Sequence, residues 1–184
     1  DKMHEREQPQ GDRPYDFILM GFVAMEDPGL RVWPTHRLVD PPQGFDEQAF
    51  LKAAAEWFDI AGAGDDLAAR VDDTPGCAIG MAVHGGGRYL LTLKDTDRAK
   101  FLGEDRTDAW RDLDVAVLHR GLFERIMGMP EGAEYAYEPK ADAALQAIAA
   151  GEKGLGFFLK GTRTEQICAC AHAADPMPQK STYF

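Results

Sequence analysis

Two short stretches concentrate side chains able to hold an oxyanion. The first is Pro34-Thr-His-Arg37. Pro34 fixes its own φ and pushes Trp33 into an extended conformation, so the chain leaves at a defined angle. A hydroxyl (Thr35), an imidazole (His36) and a guanidinium (Arg37) then follow. Arg matches carboxylate or phosphate as a two-pronged donor, and His exchanges protons near neutral pH. The second stretch is Pro178-Gln-Lys-Ser-Thr182, where prolines stiffen the approach to Lys180, Ser181 and Thr182. If the two stretches converge, Arg37 and Lys180 would hold the anion. Thr35, Ser181 and Thr182 would donate hydrogen bonds, and His36 would act as acid/base or orienting residue. Positioned cations of this kind suit phosphoryl transfer or hydrolysis. The competing reading is structural: Arg37 pairs with a surface carboxylate, His36 bonds to backbone, and the second stretch is a docking segment anchored by Tyr183 and Phe184.

Other motifs fail on their own chemistry. Gln179 occupies the position where a Walker loop needs glycine before Lys-Ser. His84-Gly-Gly-Gly87 is similar to an esterase oxyanion loop, but the one serine, Ser181, lies on no Gly-x-Ser-x-Gly elbow. Gly62-Ala-Gly64 lacks the third glycine of a dinucleotide fingerprint, and Asp65 and Asp66 would repel a pyrophosphate. Cys168-Ala-Cys170 lacks the companions that zinc requires, and no His-Glu-x-x-His is present, so no metal-ligating residues are assigned and the cofactor is left open. His119 falls on a helical stretch and reads as structural or as a surface contact.

The elements that must position these residues are partly legible. Tyr15 to Met25 is a nearly continuous apolar run, which predicts a strand buried on both faces. Glu26 to Gly29 is a turn, and Leu30 to Trp33 a short strand. Asp46 caps a helix to about Trp57, with a second helix over 65–71. Cys77 to Val83 and Arg88 to Lys94 read as a hairpin across the glycines. Residues 95–112 read as a loop with irregular helix, and Val115 to Met127 as an amphipathic helix that stops at Gly128. Strands over 134–138 and 155–160 alternate with helices over 141–150 and from Thr162, by capping-box spacing, to about Ala173. The expected class is α/β or α+β: a mixed sheet with an antiparallel hairpin, helices packed on it, in one domain over 1–184.

Composition bounds the partners. The 184 residues carry 20 Lys plus Arg against 31 Asp plus Glu, a formal charge of −11. That field opposes phosphate backbones and anionic lipid, so nucleic acid is disfavoured. No run reaches the roughly 20 apolar residues of a membrane helix. Three cysteines and no signal-peptide core favour a reducing, cytoplasmic compartment. Lys2 to Gln8 reads as a helix cut in mid-course.

Four segments in order, Met25-Glu-Asp-Pro-Gly-Leu30, Pro34-Thr-His-Arg37, Leu113-Asp-Val-Ala-Val-Leu-His119 and Met177-Pro-Gln-Lys-Ser-Thr-Tyr-Phe184, resemble the domain-of-unknown-function 1015 family of bacteria and archaea. Members are longer, with an Asp-Gly-His-His-Arg segment upstream and a Tyr-Pro-Lys segment downstream. The resemblance therefore implies a fragment, the C-terminal half, whose partner is the missing N-terminal half of the same protein. The upstream segment is in turn similar to one in ParB-like proteins, a group that includes nucleotide hydrolases and a free-serine kinase. Two functions remain: part of a kinase- or phosphohydrolase-like enzyme for a phosphorylated small molecule or nucleotide, or a non-catalytic binding and assembly module.

Overall fold

Glycines close one turn and strand-forming residues flank it, so Ala78–Val83 (β3) and Arg88–Leu93 (β4) fold back as an antiparallel hairpin. The computed structural model builds a six-stranded sheet around them, in the order β2-β4-β3-β6-β1-β5. The other strands are His36–Val39 (β1), Phe58–Gly62 (β2), Ala136–Glu138 (β5) and Leu155–Phe158 (β6). The α/β class holds, and every pairing among the described residues is antiparallel. Described are residues 6, 11–25, 27 and 29–183. They divide into two units, 1–30 and 31–184.

In the larger unit, strand alternation splits the core into two layers. Val39, Ile79, Met81, Leu91 and Phe157 face one side. There they pack against Glu47–Ala54 (α1), Arg98–Leu102 (α3), Asp108–Arg111 (α4) and the helix that starts at Asp114–Ala116 (α5). Leu38, Ala78, Ala82, Leu90 and Phe158 face the other, against Leu67–Asp73 (α2) and Ala141–Ala150 (α6). Gly80 permits that close approach, because a Cβ there would lie 3.0 Å from Leu67 and Val71. The last helix, Thr164–His172 (α7), follows β6.

Local signals explain most boundaries. The Asp46 side chain accepts from Ala49 N at 2.6 Å and starts α1. Gly151, with φ 76°, ends α6. The α7 cap sits one residue later than its spacing suggested: Gln166 Oε1 accepts from Arg163 N, while Thr162 Oγ1 turns to the carbonyl of Ser181. After α5 the helix widens into a π-helix over Val117–Ile126, closed by Met127 N to Leu122 O at 2.9 Å. Gly128 follows with φ 68°.

The expected strand over Tyr15–Met25 is a correction. A single 3₁₀ turn spans Pro14–Asp16, and no strand forms over 17–25. Phe17, Ile18, Leu19, Phe22 and Val23 are exposed, Leu19 at 99%. A continuous apolar run is buried only where a second surface meets it, and sequence cannot supply that surface. Leu30 to Trp33 likewise reduces to one antiparallel bridge, Trp33 to Tyr183. In the 26–29 turn Leu30 N bonds Asp27 O at 2.9 Å, but Glu26 and Pro28 lie outside the described residues. So do Phe184 and, apart from Arg6, the expected 2–8 helix. Tyr183 is 53% exposed and is therefore no buried anchor.

Candidate functional site

The two chemistry-bearing stretches are far apart in sequence and adjacent in space, joined by contacts that span 142 and 143 residues. Arg37 joins them. Its Nη2 donates to the carbonyls of Lys180 at 2.9 Å and Gln179 at 3.4 Å, and its Nη1 donates to the carbonyl of Thr35. The guanidinium also lies 5.0 Å from the Tyr137 ring centroid, and its Nε donates to His119 Nε2 across a long 3.4 Å. Arg37 is 1% exposed. Burial pulls its pKa down to about 10, so it stays charged at neutral pH. Its Nη donors go to backbone oxygen, and it works as a clamp on residues 178–183.

Thr35 is buried and its Oγ1 has no hydrogen-bond partner. The buried Ser181 hydroxyl donates to the carbonyl of Pro178. Lys180 adopts φ 55°, and its exposed side chain makes no ion pair among the described residues. Thr182 is half-buried.

His36 and Arg37 are neighbours in sequence but lie on opposite faces of β1, as pleating requires. His36 faces the α2 and α6 side. It borders a cleft of about 770 Å3 shared by Trp33, Pro34, Asp72, Lys140, Asp142, Phe158 and Tyr183. That volume falls in the usual range for small-molecule sites. Trp33 and Tyr183 are about half exposed at this cleft. His36 is 3% exposed, and its Nδ1 accepts from Leu159 N at 3.3 Å. Burial, helped by the Arg37 charge and opposed by Glu138, lowers its pKa to about 4. The ring is therefore neutral at pH 7 and carries its proton on Nε2, which meets no partner among the described residues.

On the opposite face a second cavity, about 470 Å3, is bordered by His119, Tyr135, Tyr137, Arg106, Arg120 and Gln179. His119 projects from the π-helix, a helix type concentrated at functional sites. Its ring packs 5.0 Å from Tyr135, and burial with the Arg37 charge holds its pKa near 3. Sequence reasoning left His119 and Trp33 out of the site. The available signal was that both flank or belong to the segments carrying the family resemblance. Among the described residues no group of His, Cys, Asp and Glu is arranged to hold a metal ion, and no helix is long and apolar enough to cross a membrane.

Fold and site together define an antiparallel α/β protein with a ligand-sized cleft on each side of the short strand β1, one place in from the sheet edge. The chain belongs to the DUF1015 family of proteins of unknown function, whose pattern matches residues 1–116. No curated protein matches it. Among solved structures it resembles a mutant free serine kinase in complex with AMP, at 10% identity and TM-score 0.51 over 88% of this chain and 56% of that one. It also resembles a conserved hypothetical protein from Pyrococcus furiosus, at 10% identity and TM-score 0.49 over 88% and 58%. The chain thus spans little more than half the length of these structures, and the likeness is one of fold.

Proposed function

We propose that residues 31–184 form the ligand-binding part of an enzyme acting on a nucleotide or a related phosphorylated small molecule. The observation that carries this reading is the 770 Å3 cleft with a buried, neutral His36 at its wall. Trp33, Phe158 and Tyr183 offer ring faces to a base, and Asp72 and Asp142 offer acceptors to sugar hydroxyls. Lys140, exposed and outside any ion pair among the described residues, supplies a cation for a phosphate. The AMP bound to the structural neighbour supports the same ligand class.

In this reading His36 orients rather than titrates. Its Nε2–H donates to a ligand oxygen, and its low pKa keeps it neutral through the working range. Arg37 positions: by holding the carbonyls of 179 and 180 it places Tyr183 against Trp33. Lys180, Ser181 and Thr182 then belong to the segment that Arg37 fixes, which carries Tyr183 to the cleft. Phosphoryl transfer or hydrolysis is the reaction class this arrangement serves.

Trp33→Ala is expected to weaken AMP binding about tenfold or more, because base stacking contributes about 1–3 kcal/mol. The melting temperature should barely change, since Trp33 is half exposed. Calorimetric titration of AMP, adenosine and ribose 5-phosphate into both proteins checks it. Absence of AMP binding at millimolar ligand, or equal affinity in the variant, removes the proposal. The assembly-module reading draws on one observation, that the Nη groups of Arg37 bond main-chain carbonyls. It would gain if AMP failed while Arg37 variants still released the C-terminal segment.

A further inference from the structure

A separate polar recess lies beyond the end of β6, around Lys160 and Gly161. It consists of two cavities that share Asp114, Lys160, Gly161 and Gln166. The inner one, about 10 Å3, also borders Thr35, Arg37 and Ser181 and has room for about one water. The outer one, about 130 Å3, also borders Arg98, Asp112 and Arg163. The outer space is too small for a nucleoside but can take one tetrahedral ion.

The charges here run against those of the chain as a whole. Arg37, Arg98, Lys160 and Arg163 face Asp112 and Asp114, a local excess of two positive charges in a chain of net −11. Asp112 is shared between Arg98 at 3.4 Å and Arg163 at 3.6 Å, both long contacts. Lys160 Nζ donates to the carbonyls of Thr74 and Gly76, and no carboxylate pairs with it among the described residues. One of its three protons is thus uncommitted. Asp114 opposes an anion least, because burial raises its pKa and Cys77 Sγ–H is its hydrogen-bond partner. Gln166 Nε2 donates to Asp112 O at 2.8 Å and across a long 3.4 Å to Asp112 Oδ2, a weak contact that an anion at the same rim could replace. Behind them the buried Thr35 hydroxyl is without a partner. A buried polar atom left unsatisfied costs about 1–3 kcal/mol, and a ligand or its water shell would recover it.

We propose that this recess binds a small tetrahedral oxyanion of the phosphate class, gripped by Lys160 and Arg163 with Gln166 as a further donor. The site does not depend on the nucleotide cleft. It differs from the convergence expected from sequence: Thr35, Arg37 and Ser181 stand behind it, but the lysine is Lys160 in place of Lys180. The oxyanion is either free phosphate or the phosphate of a larger molecule.

The test is calorimetric titration of the full chain with inorganic phosphate, at ionic strength matched with chloride. Phosphate should bind at one site, and Arg163→Gln should weaken it about tenfold, as loss of a charge-assisted contact implies. Arg163 is 65% exposed on its side chain, so that variant keeps its fold. Lys160→Gln should weaken binding at least as much, with circular dichroism confirming that it folds. Lys140→Gln should leave phosphate affinity unchanged, which separates this site from the cleft, where Lys140 is the cation offered to a phosphate. Competition by AMP but not adenosine assigns the site to the phosphate of a larger ligand; no competition by AMP assigns it to the free ion. No saturable binding at millimolar phosphate, or equal affinity in Arg163→Gln and Lys160→Gln, overturns the proposal and leaves an adventitious ion only.

Discussion

Stability should fall steeply as the pH drops from 6.5 towards 4, by roughly 2.7 kcal/mol per pH unit where two protons are taken up on unfolding. His36 and His119 are the cause. Both rings are buried beside Arg37, and both have folded values, about 4 and about 3, below the ordinary 6.5. The unfolded chain therefore takes up protons first. Their contribution is fully present above pH 6.5 and drains as the pH falls, ending only below the folded values. At about 1.4 kcal/mol per tenfold change in proton affinity, the two rings together account for several kcal/mol. A domain is commonly stable by only about 5–15 kcal/mol. Asp72, Asp114 and Glu124 work in the opposite sense, because burial raises their values and the folded state takes up their protons more readily. They offset part of the loss at the acidic end. Urea unfolding between pH 8 and 4 measures the slope, and His119→Asn should roughly halve it. A flat profile down to pH 4.5 would mean that the rings are not buried and neutral.

Arg37→Met should cost about 3–5 kcal/mol, read from the same unfolding curves at pH 7.5. Two effects compete. Removing a buried guanidinium relieves the desolvation that lowers its pKa. It also leaves the carbonyls of Thr35, Gln179 and Lys180 without their donor. A buried oxygen so orphaned costs about 1–3 kcal/mol, which applies in full to Thr35 and in part to the half-buried oxygens of 179 and 180, and together with the lost packing this outweighs the relief. Lysine is no substitute, since one ammonium cannot span three carbonyls with the geometry of a planar fork. Residues 178–183 should become the first site of limited proteolysis, with Trp33 losing its bridge to Tyr183. The acid profile should change as well. Without the Arg37 charge both histidines move part of the way back towards 6.5, burial being the larger cause of their shifts, so the loss should end at a higher pH and total less. A variant as stable as the parent, with residues 178–183 still protected, would show that the clamp does not hold that segment.

The legible parts of the fold were those whose signals are local. The β3–β4 hairpin, the Asp46 cap and the Ala141–Ala150 helix each follow from a few adjacent residues. Strand β1 was not legible. It is four residues long and buries an arginine, which no hydrophobic pattern marks, although prolines at 34, 41 and 42 flank it. Assigning a strand there would have separated His36 from Arg37 at once, because consecutive residues point to opposite faces. The π-helix was also hidden: Val115, Leu118, Leu122 and Ile126 suit an ordinary helix as well as a wider one. Both donor-bearing stretches were visible in the sequence, and so was the possibility that they meet. What could not be read was that Arg37 meets main-chain oxygen, a contact that leaves no trace in side-chain identity.

The exposed run from Phe17 to Val23 has a colloidal consequence. Its side chains carry no charge, branch or stack readily, and contain no proline, the make-up of a segment that sticks to copies of itself. The net charge of −11 keeps molecules apart at low ionic strength. Salt shortens the reach of that repulsion to about 8 Å at physiological strength and leaves the apolar attraction intact. Solutions of this chain should therefore cloud on adding salt, and a single aspartate within the run would keep them clear.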